Sequence, residues 1–520
     1  MTVDAGRRRF GAAVAAAGAS GALASCAVLP SREPVYRGSA APFTLGVASG
    51  YPRPDGAVIW TRLAPSPSAE DGGMGRAPIA VQWEVAEDDA FARIVAAGTE
   101  LALPRWAHSV RVELSGLGPG RHYHYRFSSG DARSATGRLR TAPPPDALRR
   151  LRFAFGSCQQ YEHGWYSAYR HMLADELDLM VFLGDYIYEG SWGRNHVRKH
   201  DAGLAVTLHD YRRRHALYRS DPDLQAAHAA MPWILTWDDH EVDNDYADDR
   251  SQSDDPPQAF LDRRADAYQA YFEHLPLPWS MAPAGPRMRI HTAIDFGALA
   301  RFHVLDNRQY RSHQACPRPG RGGGNVVGAE CAERLEPQRT MLGAAQERWL
   351  NDSLRGSHAR WNVIAQQTLI AQAVRNRNGE LRHWTDGWDG YPAARQRLLR
   401  SIREQRASNP VAIGGDVHCF FASELHEDFE RRSDPPLMVE FVSTSISSNG
   451  WSANAVDSVL RENPHLRYGD SRHRGYVRVD LKPDRMQVDL RGVHDERDPA
   501  SGCSTVRSFE VRSGVARLDG

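Results

Sequence analysis

A chain of 520 residues is too long for one ordinary hydrophobic core, so two or three domains are expected. Lys+Arg and Asp+Glu each number 64 and the pI is near 7.4, which leaves no bulk charge to hold a polyanion and argues against a nucleic-acid partner. Hydrophobic residues at 41% and a mean hydropathy of -0.54 describe a globular protein, and no apolar run beyond the N-terminus is long enough to span a bilayer in the mature chain.

Residues 1–26 read as an export signal. Arg7, Arg8, Arg9 and Phe10 precede a small, weakly apolar run from Gly11 to Ala24. Arg8-Arg9-Phe10 fits a twin-arginine leader, used for proteins that fold before export, which makes the Tat machinery a partner. Two cleavage readings stay open. Ala22-Leu23-Ala24 suits an ordinary signal peptidase, whereas Leu23-Ala24-Ser25-Cys26 reads as a lipobox that would leave a lipid anchor on Cys26. Either way the expected destination is periplasmic or extracellular.

From residue 43 to residue 143 short β runs alternate with turns. Ala57–Thr61, Ala80–Val85, His108–Leu114 and the aromatic-rich stretch after Gly118-Pro119-Gly120 predict a β-sandwich of immunoglobulin or fibronectin type. The prolines at 143, 144 and 145 then form a linker.

Residues 151–512 carry a different rhythm. Leu151–Phe155, Leu179–Leu183, Trp233–Thr236, Asn362–Ala365, Val411–Ile413 and Met438–Val442 are buried-strand runs. Amphipathic stretches at Trp165–Glu176, Gln346–Leu354 and Ala393–Gln405 lie between them. This alternation predicts an α/β or α+β catalytic domain with helices covering a sheet.

Candidate ligands stand just beyond four of those strands, which is where open α/β sheets bind. Phe153-Ala154-Phe155-Gly156-Ser157 leads to Cys158; Val181-Phe182-Leu183-Gly184 leads to Asp185, followed by Tyr188 and Glu189. Ile234-Leu235-Thr236-Trp237 leads to Asp238-Asp239-His240-Glu241, and Ile413-Gly414-Gly415 leads to Asp416-Val417-His418. Any one of these is ordinary turn or core chemistry; four together mark a metal or catalytic site.

These stretches, with Leu305-Asp306-Asn307-Arg308-Gln309-Tyr310-Arg311 and Arg474-Gly475-Tyr476-Val477, resemble the PhoD-like (alkaline phosphatase D) family of the metallophosphoesterases. The resemblance implies two stacked β-sheets flanked by helices, with metals at one edge. It implies iron(III) held by Cys158, bridging Asp185, Tyr188 and His418, and calcium sharing Asp185 and taking Asp239 and Asp416. The donors agree: thiolate and phenolate suit a trivalent transition ion, and carboxylates suit calcium.

The implied substrate is a small-molecule phosphate mono- or diester. Cations would neutralise its oxygens and lower the pKa of a bound water that attacks phosphorus. His240 is a candidate general acid, or else a partner that orients a ligand. Arg308 is a candidate phosphate clamp, or else the partner of an acidic neighbour. Neither a serine-hydrolase elbow nor a Walker loop is found. A non-catalytic calcium-binding surface protein is the remaining alternative, although structural calcium needs no thiolate, phenolate or imidazole. Of the six cysteines, Cys316 and Cys331 are expected to close a loop, and Cys419 and Cys503 are candidates for a second pair.

Overall fold

The computed structural model describes residues 34–431 and 434–520; the leader and Cys26 lie outside them. Two sheets dominate. In the larger, nine-stranded sheet the strands Leu151–Gly156, Leu179–Leu183 and Pro232–Thr236 run parallel. Side chains alternate across a strand, so Leu179, Val181 and Leu183 face the second sheet while Met180 and Phe182 face outward. The second sheet has seven strands, with Ala300–Val304, Trp361–Ala365, Pro410–Gly414 and Met438–Val442 parallel at its centre.

The core between the sheets includes Phe153, Phe155, Phe302, Val363, Val411 and Phe441. Each such side chain contributes about 1.5–3 kcal/mol relative to exposure. Helices cover both outer faces. Ser167–Ala174, Leu208–Arg219, Pro222–Ala230 and Pro257–His274 pack on the nine-stranded sheet, and Gly343–Arg355, Pro392–Glu404 and Ala453–Glu462 on the other. The helices expected at 165, 346 and 393 begin at Ser167, Gly343 and Pro392, the last with proline in the first turn. Among the described residues no helix is long and apolar enough to cross a membrane.

The N-terminal strands form two layers. Val47–Arg53, Gly56–Arg62 and Ser109–Glu113 make one, and Ile79–Ala86, Ile94–Ala102 and His122–Ser129 lie in the other. Val47, Ile59, Val81, Val112 and Phe127 share the core that these layers enclose. The first layer, however, continues into the nine-stranded sheet: Val47–Arg53 pairs parallel with Pro232–Thr236, with Ser49 opposite Pro232 and Gly50 opposite Trp233.

Cys316 and Cys331 are joined in a disulfide. The second pair is not formed, because Cys419 and Cys503 are both free thiols. Cys419 immediately precedes Phe420–Leu425 of the seven-stranded sheet, whereas Cys503 begins Cys503–Arg512 of the nine-stranded one.

Candidate metal centre

The carboxyl ends of the parallel strands of both sheets meet at one edge, where Ser157 bridges to Ser445. The chain leaves its strands there through left-handed residues: Cys158 (φ +61°), Asp185 (+57°), Asp416 (+63°) and His418 (+55°). Such backbone costs about 1–3 kcal/mol per residue and persists only where the surroundings impose it. Hydrogen bonds impose it here. The Cys158 N–H donates to Gly184 O (3.1 Å), and Ser448 Oγ donates to Cys158 O (2.8 Å).

Glu241 binds two strand ends together. Its Oε2 accepts from the Asp185 N–H (3.1 Å) and the Asp238 N–H (2.9 Å), and its Oε1 from the Tyr186 N–H (2.6 Å). Burial pushes its carboxyl up to about 8, against the opposing hydrogen bonds. Sequence reasoning did not give Glu241 a role; its place in the Asp-Asp-His-Glu run was the available signal. Gly184 lets the two loops touch. At φ +106°, a Cβ there would stand 2.5 Å from both Asp238 N and Asp238 Cβ. Gly184→Ala is therefore expected to force Asp238 and Asp239 out of place and to destabilise the fold by about 2 kcal/mol or more, read as a lowered denaturation midpoint.

Two groups of ligand-type atoms form at this edge, one of Cys158, Asp185 and His418 and one of Asp185, Asp239 and His240, each within 4.8 Å of one another. Asp185 belongs to both. The Tyr188 hydroxyl joins the first group, donating to Asp185 Oδ2 (2.9 Å) and lying 3.2 Å from His418 Nε2 and 2.8 Å from Ser448 Oγ. His418 donates from Nδ1 to Asn449 O (2.7 Å), which leaves Nε2 as the coordinating nitrogen. Burial lowers the His418 pKa to about 3, with Arg474 and His240 adding and the Asn449 bond opposing, so the ring is a neutral donor.

The acidic groups repel one another. Burial pushes the Asp185 carboxyl well above its usual range; Asp239, Asp238 and Glu241 add to this and His240 opposes it. Burial and then Asp185 likewise raise the Cys158 thiol and the Tyr188 phenol. Asp185 Oδ1, Asp239 Oδ1 and Asp238 Oδ2 are buried without a hydrogen-bond partner. Unpaired buried carboxylate oxygens are costly, and a cation among them removes the cost, so these residues fit metal.

His240 donates through Nδ1 to Glu189 Oε2 (2.7 Å) and packs on Tyr188 at 4.1 Å between ring centroids. Burial opposes its cationic form, but Glu189, Asp239 and Asp185 outweigh burial and raise its pKa well above the ordinary value. Asp239 is held below the usual carboxylate range, because Arg308, His240 and the Asp245 N–H overcome burial. Asp416 belongs to neither ligand group; burial pushes its carboxyl up to about 7 while Arg308 opposes.

Of the two roles expected of Arg308, phosphate clamp or partner of an acidic neighbour, the geometry displays the second. Its guanidinium is buried, with Nε on Asp238 (2.5 Å), Nη1 on Asp386 (2.9 Å) and Nη2 3.6 Å from Asp239. The fork is spent on carboxylates and serves as their counter-charge. Asp245 ties in the disulfide-closed loop, accepting from Gly324 N–H at Oδ2 (3.0 Å), and Gln314, just before that loop, bonds both Asp386 and Asp245 O. Neither Asp245 nor Asp386 was singled out in the sequence.

A family model described as PhoD-like phosphatase matches residues 153–490, and one for the N-terminal domain of PhoD-like phosphatase matches residues 29–143. The chain is 46% identical over 482 residues to alkaline phosphatase D of Bacillus subtilis (strain 168), covering 91% of this chain and 81% of that protein. A solved structure of PhoD superposes with a TM-score of 0.89 at 45% identity, covering 93% of each chain. A purple acid phosphatase from yellow lupin seeds shares the fold at a TM-score of 0.56 and 11% identity, covering 91% of this chain and 74% of that one.

Proposed function

Because the chain belongs to the PhoD-like phosphatase family, we propose that it hydrolyses small phosphate mono- or diesters at the Asp185 edge, with iron(III) and calcium as its metals. It is a phosphoric ester hydrolase, and the non-catalytic alternative gives way. One observation carries the finer reading: two ligand groups of different chemistry share Asp185. Cys158, Tyr188 and His418 offer thiolate, phenolate and imidazole, a set suited to iron(III). Asp239 offers carboxylate on the other side, and Asp416 is proposed to complete it for calcium.

Bound there, the ions would neutralise phosphoryl oxygens and lower the pKa of an attacking water. The chain's own residues do the rest. Asp185, common to both ligand groups, would hold both ions, and Glu241 fixes the Asp185 backbone. Glu189 occupies His240 Nδ1, so the other ring nitrogen is the one left to carry a proton to the departing oxygen. Export through the twin-arginine route belongs to the same reading and rests on Arg8-Arg9-Phe10 and the small-residue run behind it.

The test is elemental analysis of protein purified without chelator, with turnover of 4-nitrophenyl phosphate and bis(4-nitrophenyl) phosphate before and after chelation. Iron and calcium should be found, at least one ester should be cleaved, and activity should vanish with the metals. Full activity after complete metal removal would overturn the proposal.

A further inference from the structure

Trp192 stands beside the metal edge with 38% of its surface exposed. Its ring lies nearly parallel to that of His418, at 13° and 6.2 Å between centroids. An exposed indole on a loop usually has rotational freedom; this one stands on a loop whose backbone is fastened from several sides and packs against two histidine rings. His163 Nε2 (2.9 Å) and His196 Nε2 (2.8 Å) both donate to the Trp192 carbonyl, and the His163 ring meets the indole edge-on at 4.3 Å. His163 packs this closely because Gly193 follows the tryptophan. At φ +84°, a Cβ on Gly193 would sit 2.8 Å from His163 Nε2. Arg497 Nη1 holds the same loop at Asn195 O (2.7 Å).

The tether leads back to the candidate ligand. His418 Nδ1–H donates to Asn449 O (2.7 Å), Asn449 N–H donates to His163 Nδ1 (3.2 Å), and His163 Nε2–H donates to Trp192 O. His163 accepts at one nitrogen and donates at the other, which requires the neutral ring, and burial accordingly lowers its pKa. The Trp192 backbone is therefore registered to His418 through three hydrogen bonds, and the edge-on His163 ring packs against the indole itself. A fixed, half-open aromatic face beside a reaction centre is what a flat group stacks on.

We propose that Trp192 is a specificity-determining platform, on which the aromatic ring of an ester's leaving group stacks, so that nucleoside and aryl phosphates are preferred over aliphatic ones. This rests on the phosphoesterase reading above. Stacking on an aromatic side chain is worth enough that its loss should weaken binding about tenfold.

The experiment compares adenosine 5′-monophosphate with glycerol 3-phosphate in the metal-loaded parent, Trp192→Ala and Trp192→Phe. Trp192→Ala should raise KM for the nucleotide about tenfold more than KM for glycerol 3-phosphate, with kcat moving little, and Trp192→Phe should recover most of the difference. Equal changes for both substrates, or none for either, would overturn the platform. Quenching of protein fluorescence by adenosine 5′-monophosphate is read in parallel and needs no turnover. If the parent hydrolyses neither ester, the functional reading fails by itself. The platform then stands if quenching weakens in Trp192→Ala, and falls if quenching is unchanged.

Discussion

Asp185→Asn is expected to lower kcat by about a thousandfold or more while leaving the fold intact. The two halves of this expectation have separate causes. Catalysis suffers because Asp185 is the residue shared by both ligand groups, and an amide offers one neutral oxygen where a carboxylate offers two anionic ones. The fold is spared because residue 185 sits at φ +57°, where asparagine is among the best tolerated residues after glycine. In chelator-treated protein the substitution should even raise the melting temperature slightly, since it replaces a carboxyl whose ionised form is disfavoured by burial and by Asp239, Asp238 and Glu241 close by. The measurement is kcat together with melting curves with and without chelator. Activity within a fewfold of the parent would remove Asp185 from the centre.

Cys158→Ala is expected to abolish iron binding and to cut activity about a hundredfold or more, with any visible absorption of the purified protein bleached. The thiol is buried, and burial with Asp185 close by raises its pKa, so within the protein it has no reason to ionise unless a cation stands against it. Burial also means that slow alkylation alone would not diagnose a bound metal; iron content and the absorption spectrum do. Cys419→Ala serves as the control. That thiol is buried among Phe421, Val442 and Leu466, its pKa is pushed up to about 11 by burial, and its truncation should cost about 1 kcal/mol while iron content holds. Iron at parental levels in Cys158→Ala would break the assignment.

The strand ends were legible in sequence for a local reason. A buried parallel strand is a short apolar run, and the first polar residues after Phe155, Leu183, Thr236 and Ile413 had to be at a sheet edge. Cys158, Asp185, Tyr188, Asp239, His240 and His418 gather there. What escaped was whatever depends on pairing between distant segments. Arg308 was open in sequence to a clamping role or to an acidic partner, and Asp386, which helps to claim its guanidinium, lies 78 residues away. Glu241 works through backbone N–H groups, which no side-chain pattern reveals. Trp192 is unremarkable until Asn449 and His163 are seen to connect it to His418.

The strand Val47–Arg53 also sets an order of events on the ribosome. Its parallel partner, Pro232–Thr236, is synthesised roughly 180 residues later, which at ordinary elongation rates means about 10–40 s. Until then the N-terminal layer has a bare row of backbone donors and acceptors on that side, an invitation to pair with another nascent chain. Completing the first part of the protein thus waits on the strand that delivers Asp238 and Asp239. On the twin-arginine route proposed above, which carries folded chains, a copy truncated before that strand would lack both a finished sheet and a finished metal edge, so the translocation step would select for the same residues as the chemistry.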